Sequence, residues 1–285
     1  MRRIMMATDF SAGSGRALRR ASLIAAAAGG ELSVIHIADS DQTPRAREVA
    51  RLQAEDRMRH LIAALPASGG GRTTGQVIMG DPFDGIAKAA AAQMPDLLVI
   101  GGHGGRGWRD LVMATMAERI LRAVAVPVLV VNTAPAGDYR QVLMTTDLSD
   151  LSARALRRFL AMQIGESRAL VHVYSTTALN TATAAALGDA ARDHYLTEAR
   201  HAAGAALSAF KNDLQAIDIF DFIRENEKSV AETLSLVTDE VGADLVVVAT
   251  AGKTGLERFF LGSAARALIR TAVCDILAIP PDSTN

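Results

Sequence analysis

The sequence predicts two tandem copies of one α/β domain, each an open parallel five-stranded sheet with helices on both faces. Three observations lead there. The chain repeats itself in order, short apolar runs alternate with helical patterns inside each copy, and the core-forming residues are aliphatic. Hydrophobic residues make up 49% of the chain and aromatics only 4%. Apolar runs of strand length separated by amphipathic stretches mark βαβ units. An Ala-, Val-, Leu- and Ile-rich core suits strands buried on both faces. The 285 residues also divide into two domains of roughly 140 residues, near the common domain size.

The repeat is read directly from the residues. Residues 3–11 read RIMMATDFS and residues 140–149 read RQVLMTTDLS, each followed by a helix rich in Ala, Leu and Arg. LSVIHI at 32–37 matches ALVHV at 169–173, with His36 and His172 in the same place. DLLVIG at 96–101 matches DLVVVA at 244–249, and PVLVV at 127–131 matches DILAI at 275–279. Order is kept throughout, which is the mark of a duplication.

In the first copy this pattern predicts strands at about 3–8, 32–37, 74–79, 96–101 and 127–131. Helices are expected at about 13–28, 44–65, 83–93 and 115–124. Ser11 or Ser14 can cap the first helix, Gly29-Gly30 ends it, and Pro82 suits the first turn of the third. The second copy predicts strands near 141–146, 169–174, 217–223, 244–249 and 275–279. Its helices fall near 151–164, 185–211, 229–241 and 263–271, the second of them after a small, polar stretch. Residues 134–138 read APAGD, which is linker chemistry, so the domains are set at 1–133 and 139–285. The fifth strand of each copy lies at a sheet edge, where an apolar strand invites pairing. Val128–Val131 is therefore expected against 276–279 about a pseudo-two-fold axis, with the last strands exchanged between the domains.

Charge and cysteine content narrow the function. Thirty basic residues balance 31 acidic ones, so there is no electrostatic footprint for nucleic acid or an acidic membrane. Cys274 is the single cysteine, which excludes an intramolecular disulfide and a zinc cluster and reads as buried and inert. The N-terminal stretch turns polar after six residues, without an apolar region of signal-peptide length. A cytoplasmic protein is expected.

Open parallel sheets bind ligands beyond the carboxyl ends of their strands. At that end copy one places Asp9, Ile37 and a Gly-rich loop, GGHGGRGWRDLVMAT at 101–115. Copy two places Asp147, Val173 and ATAGKTGLERFFLGS at 249–263. Glycines let backbone N–H groups approach phosphate oxygens, and a helix starting near Thr115 or Ser263 offers unpaired N–H groups at its positive end. Its first hydroxyl can cap the helix or bind phosphate. One such loop is a weak signal; the same loop twice, behind the same Thr-Asp-x-Ser strand end, is much stronger.

These motifs resemble the universal stress protein family over nearly the whole chain. Nucleotide-binding members carry G-x2-G-x9-G-[S/T] after the fourth strand and an Asp after the first. The resemblance implies ATP, usually with a divalent cation such as Mg²⁺, lying across the strand ends. It matches Asp9 and Asp147 to the position that contacts nucleotide, with Asp147 as the metal candidate. Ile37 and Val173 match the residue whose backbone meets adenine. Gly101, Gly104 and Thr115, and Ala249, Gly252, Gly262 and Ser263, match the phosphate cradle. Further dimerisation of tandem chains is also expected by analogy, with protein partners left open.

Neither copy keeps the motif whole. Copy one has Ala114 before Thr115, at a tight turn where a methyl forces strain. Copy two has Ala249 at a strand end, where a methyl is tolerated. Thr115 and Glu118 read as a capping box that occupies the helix's own donors, whereas Arg266 in copy two puts a cation near the site or is simply exposed. Copy two is therefore the favoured site.

Structural readings stand beside these. Asp9 and Asp147 can instead cap the turn they follow, His36 and His172 read as structural, and Lys253 and Arg258 read as solvated. His103, replaced by Ala251 in copy two, is a poor general base, and Trp108 reads as a loop anchor. No phosphate-loop GxxxxGK[ST] sequence, nucleophile elbow or paired carboxylates appear, so the expectation is a binding protein with at most weak ATP hydrolysis. The alternative is a degenerate scaffold that works through protein contacts or another small ligand. An adenylyl-transferase-like enzyme is disfavoured, because HxGH and SGGxDS-type sequences are absent.

Overall fold

The computed structural model describes residues 1–39, 43–65, 72–102, 108–176, 189–216, 218–226, 228–250 and 262–280, with the backbone alone at 108–115 and 189. Copy one runs β1 (Arg3–Ala7), α1 (Ala12–Ala28), β2 (Glu31–Ala38), α2 (Pro44–Ala63), β3 (Thr73–Met79), α3 (Pro82–Gln93), β4 (Leu97–Gly101), α4 (Trp108–Ala123) and β5 (Val128–Val131). Copy two runs β6 (Gln141–Thr146), α5 (Asp150–Met162), β7 (Ser167–Tyr174), α6 (Asp189–Asp213), β8 (Phe220–Glu225), α7 (Val230–Val241), β9 (Leu245–Ala249), α8 (Ser263–Thr271) and β10 (Asp275–Ile279). Residues 185–188 and 217, expected in a helix and a strand, lie outside the described residues.

Local chemistry explains the ends of these elements. Ser11 caps α1 by accepting the Ser14 N–H at 3.2 Å, and Gly29 closes it at φ 58°, a left-handed value that glycine adopts without strain. Pro82 opens α3 behind an Asp81 cap. One boundary departs from expectation. α4 starts at Trp108, so the expected helix at 115–124 gains two turns at its N-terminal end. Thr115 therefore lies inside the helix and cannot offer an N-terminal phosphate site. Glu118 closes no capping box; its buried carboxylate instead accepts from Arg270 Nε of α8.

The ten strands form one sheet in the order β3-β2-β1-β4-β5-β10-β9-β6-β7-β8. Pairing within each copy is parallel. The two last strands meet antiparallel, with Leu129 opposite Leu277. The exchange between copies is this edge pairing: each last strand keeps its own fourth strand on one side and takes the other copy's last strand on the other. Helices α1, α2, α5 and α6 cover one face through Leu18, Met58, Phe159 and Leu207. Helices α3, α4, α7 and α8 cover the other through Ile86, Ile120, Val237 and Leu268. Because β5 and β10 run antiparallel, the carboxyl ends of the two halves point in opposite directions.

A buried carboxylate ties the copies together. The β4–β5 and β9–β10 registers give Asp275 the place that Pro127 holds in copy one. Asp275 is 0% exposed, and its Oδ1 accepts from Asn132 N, Thr133 N and Thr133 Oγ1 at 2.9, 3.0 and 2.9 Å. Its Oδ2 accepts from Tyr139 Oη at 2.6 Å and lies 3.5 Å from Arg20 Nε. Arg20 also donates to Gly137 O at 2.6 Å and stacks 3.8 Å from the Tyr139 ring centre. Burial and the neighbouring Asp275 charge push the Tyr139 hydroxyl well above its ordinary pKa, so it stays a donor. Asn132 donates to Ala272 O and Cys274 O. The connection between the copies is thereby fastened to β10.

Asp275→Ala leaves buried donors without their acceptor and the buried Arg20 guanidinium without its countercharge, and should destabilise the chain by about 3–5 kcal/mol. Urea unfolding checks this; a change below about 1 kcal/mol would refute the role given to the carboxylate. A methyl at Gly102 would meet Asn132 Oδ1 at 2.0 Å and Val130 Cγ1 at 2.8 Å. Gly102→Ala should therefore lower stability by roughly 1–3 kcal/mol, read by the same titration.

Candidate functional site

Both copies build the turn after the first strand in the same way. Phe10 and Leu148 take left-handed φ values of 60° and 63°, each straining the backbone by roughly 1–2 kcal/mol. Their side chains pack against the core, and the preceding carboxylates hold the turn. Asp9 Oδ1 accepts the Ser11 N–H at 3.0 Å, and Asp147 Oδ1 accepts the Ser149 N–H at 3.0 Å and its hydroxyl at 2.6 Å. Thr8 with Ser14, and Thr146 with Ser152, pair hydroxyls at 3.1 and 2.9 Å and fix the first helix to the strand end. From the sequence, Ser14 is only a possible helix cap and the threonines only part of the Thr-Asp-x-Ser repeat; the hydroxyl pairing itself is not foreseen, although Ser three beyond the capping Ser recurs in both copies.

The two histidines are structural at one nitrogen. His36 Nδ1 lies 2.7 Å from Thr8 O, and His172 Nδ1 lies 3.0 Å from Thr146 O. A carbonyl only accepts, so each ring carries its proton at Nδ1.

A pocket lies across the strand ends of each copy. The first, about 240 Å³, brings together Asp9, Ile37 and Gly101. The second, about 230 Å³, brings together Asp147, Val173, Ala249, Gly262 and Ser263. Pro82 and Ile86 of α3, and Val230 and Leu234 of α7, form walls that motif reading did not reach. Gly104, Gly252, Lys253, Arg258 and His103 lie outside the described residues, as do the side chains of Trp108 and Thr115. Arg266, one turn into α8, is not among the lining residues.

The pockets differ at the end where an anion would sit. In copy two, Gly262 is the N-cap of α8 and, lacking a side chain, makes no side-chain capping bond. Ser263, Ala264 and Ala265 follow it, and all four residues line the pocket. An α-helix leaves its first N–H groups without intrahelical partners, so α8 presents such donors and its positive dipole end to this space. In copy one the matching wall is Met116, Ala117 and Ile120. These residues lie two or more turns inside α4, where N–H groups bond carbonyls of the preceding turn.

The alanine and glycine at the fourth strand end also differ for a reason. A methyl at Gly101 would come within 3.0 Å of Gly13 and Ser14 backbone atoms. In copy two, Ala249 carries that methyl at the pocket wall. Among the described residues no group of three His, Cys, Asp or Glu side chains could hold a metal ion by itself. Nor is any described helix long and apolar enough to cross a membrane.

Known proteins place this architecture. Universal stress protein E from Salmonella typhi is 26% identical over 212 residues, covering 70% of this chain and 66% of that protein. The Escherichia coli K12 protein of the same name is 24% identical over the same length. The match thus spans just under two thirds of these relatives' length. A universal stress protein from Archaeoglobus fulgidus shares the fold with a TM-score of 0.69 at 18% identity, covering 99% of this chain and 97% of that one. A functionally unknown protein from Pseudomonas aeruginosa PAO1 does so with a TM-score of 0.67 at 17% identity, covering 98% and 93%. The model of the universal stress protein family matches twice, at residues 1–132 and 138–280, and the chain belongs to that family.

Proposed function

We propose that this chain is a stress-response binding protein that takes ATP or a related adenine nucleotide in its second domain. The observation that carries this reading is the glycine-capped N-terminus of α8, with Gly262–Ala265 lining the pocket beside Asp147. Backbone donors at Gly262–Ala265 suit a polyphosphate, and Val173 with Val230 and Leu234 supplies an apolar end for a base. Mg²⁺ fits as a companion of the phosphates: it is commonly held by one or two carboxylates, phosphate oxygens and water, and Asp147 offers the carboxylate. When bound, the ion would neutralise phosphate charge. The protein's own part is to orient the nucleotide through amides, and turnover is at most slow. We take the domains as 1–133 and 139–285, and the setting as the cytoplasm, with tandem chains forming a homodimer.

The test uses one substitution with two opposed effects. Gly262 has φ −56°, and no described residue stands within 4 Å of where its side chain would project, so Gly262→Asp supplies a capping carboxylate. It should stabilise α8 by up to about 1 kcal/mol while putting a carboxylate where phosphate would bind. Calorimetric titration of the whole chain with ATP and Mg²⁺ should show one site in the wild type and at least about a tenfold loss in the variant. Asp147→Asn should weaken the Mg²⁺ dependence of that binding. Absence of nucleotide binding by the wild type would favour the scaffold alternative; unchanged affinity in Gly262→Asp would move the site to copy one.

A further inference from the structure

The pocket of copy one keeps the floor of its counterpart and lacks its anion end. Its described lining contains one carboxylate, Asp9, and no lysine or arginine. Burial alone would raise that carboxyl, but hydrogen bonds from Ser11 and Ser14 outweigh it and lower the pKa, so the group is an anion near neutrality. His36 Nδ1–H is already committed to Thr8 O. The remaining walls are largely apolar: Ile37, Pro82, Ile86, Ile100, Met116 and Ile120. A phosphate or sulfonate entering here would lose hydration against hydrocarbon, face a like charge, and meet on α4 only N–H groups already bonded within the helix.

We infer that this pocket receives an uncharged apolar molecule carrying a hydrogen-bond donor for Asp9, a ligand class distinct from that of copy two. Charge complementarity selects the class, since the carboxylate accepts a donor and opposes an anion, and among the described lining residues no cationic side chain balances it. The inference concerns the other half of the chain and stands whether or not copy two takes nucleotide.

N-phenyl-1-naphthylamine and 8-anilinonaphthalene-1-sulfonate share one aromatic frame and one N–H, and differ by a sulfonate. In fluorescence titrations of the whole chain the neutral probe should saturate at one site and bind at least about tenfold tighter than the sulfonate. Saturating ATP with Mg²⁺, and the Gly262→Asp variant, should leave it in place. Met116→Trp fills a half-buried wall position and should abolish neutral-probe binding, with a thermal melt confirming the fold. Asp9→Asn keeps an acceptor for the Ser11 N–H and should bring the two affinities within about threefold, which keeps the inference testable if the tryptophan variant does not fold. Equal affinities in the wild type, displacement by ATP, non-saturating fluorescence, or full binding to a folded Met116→Trp would each overturn it.

Discussion

An apolar strand at the open edge of a parallel sheet exposes unpaired N–H and C=O groups together with hydrocarbon, and water compensates only part of that. Each copy of this domain ends in such a strand. Pairing β5 with β10 removes both edges at once, and two half-sheets become one sheet of ten strands. The pairing is antiparallel, so the two halves are related by a pseudo-two-fold axis and their carboxyl ends face away from each other. Two separate pockets at opposite rims follow from that one contact.

The contact is secured asymmetrically. Copy one enters its last strand through Pro127; copy two enters through Asp275, whose carboxylate collects donors from Asn132, Thr133 and Tyr139 and sits beside Arg20. A buried charge is tolerated because its acceptor sites are occupied and its countercharge is stacked on an aromatic ring. The same residues clamp the connecting segment and so set how the halves lie together. On the opposite face the Glu118–Arg270 pair joins α4 to α8, and Arg266 stands in copy two where Glu118 stands in copy one.

The pockets diverge by the same logic. Both keep the Thr-Asp-x-Ser turn, with a strained apolar residue whose burial offsets its left-handed backbone. They part at the helix that closes them. α8 begins at the pocket and directs its N-terminus into it; α4 begins two turns earlier and lays an apolar flank along it. A duplicated domain thus holds two hollows that share a floor and differ in the part of the closing helix that lines them.

The sequence by itself determined the duplication, the order of strands and helices, and the placing of Asp9, Ile37 and Gly101, and of Asp147, Val173 and Ala249, at the strand ends, because these depend on periodicity and short-range turn chemistry. Thr-Asp-x-Ser was legible as a turn, and the apolar fifth strands as pairing edges. The start of α4 was not legible: residues 101–115 combine loop-like glycines with helix-forming residues, which leaves no local signal for where the helix begins. The role of Asp275 was also hidden, although a charge opening an apolar strand where the other copy has proline was a visible anomaly. Its partners come from as far away as Arg20, so only the folded chain brings them within hydrogen-bond reach. Tertiary structure alone decided which helix end faces which hollow, since that depends on where each helix is stopped by its neighbours.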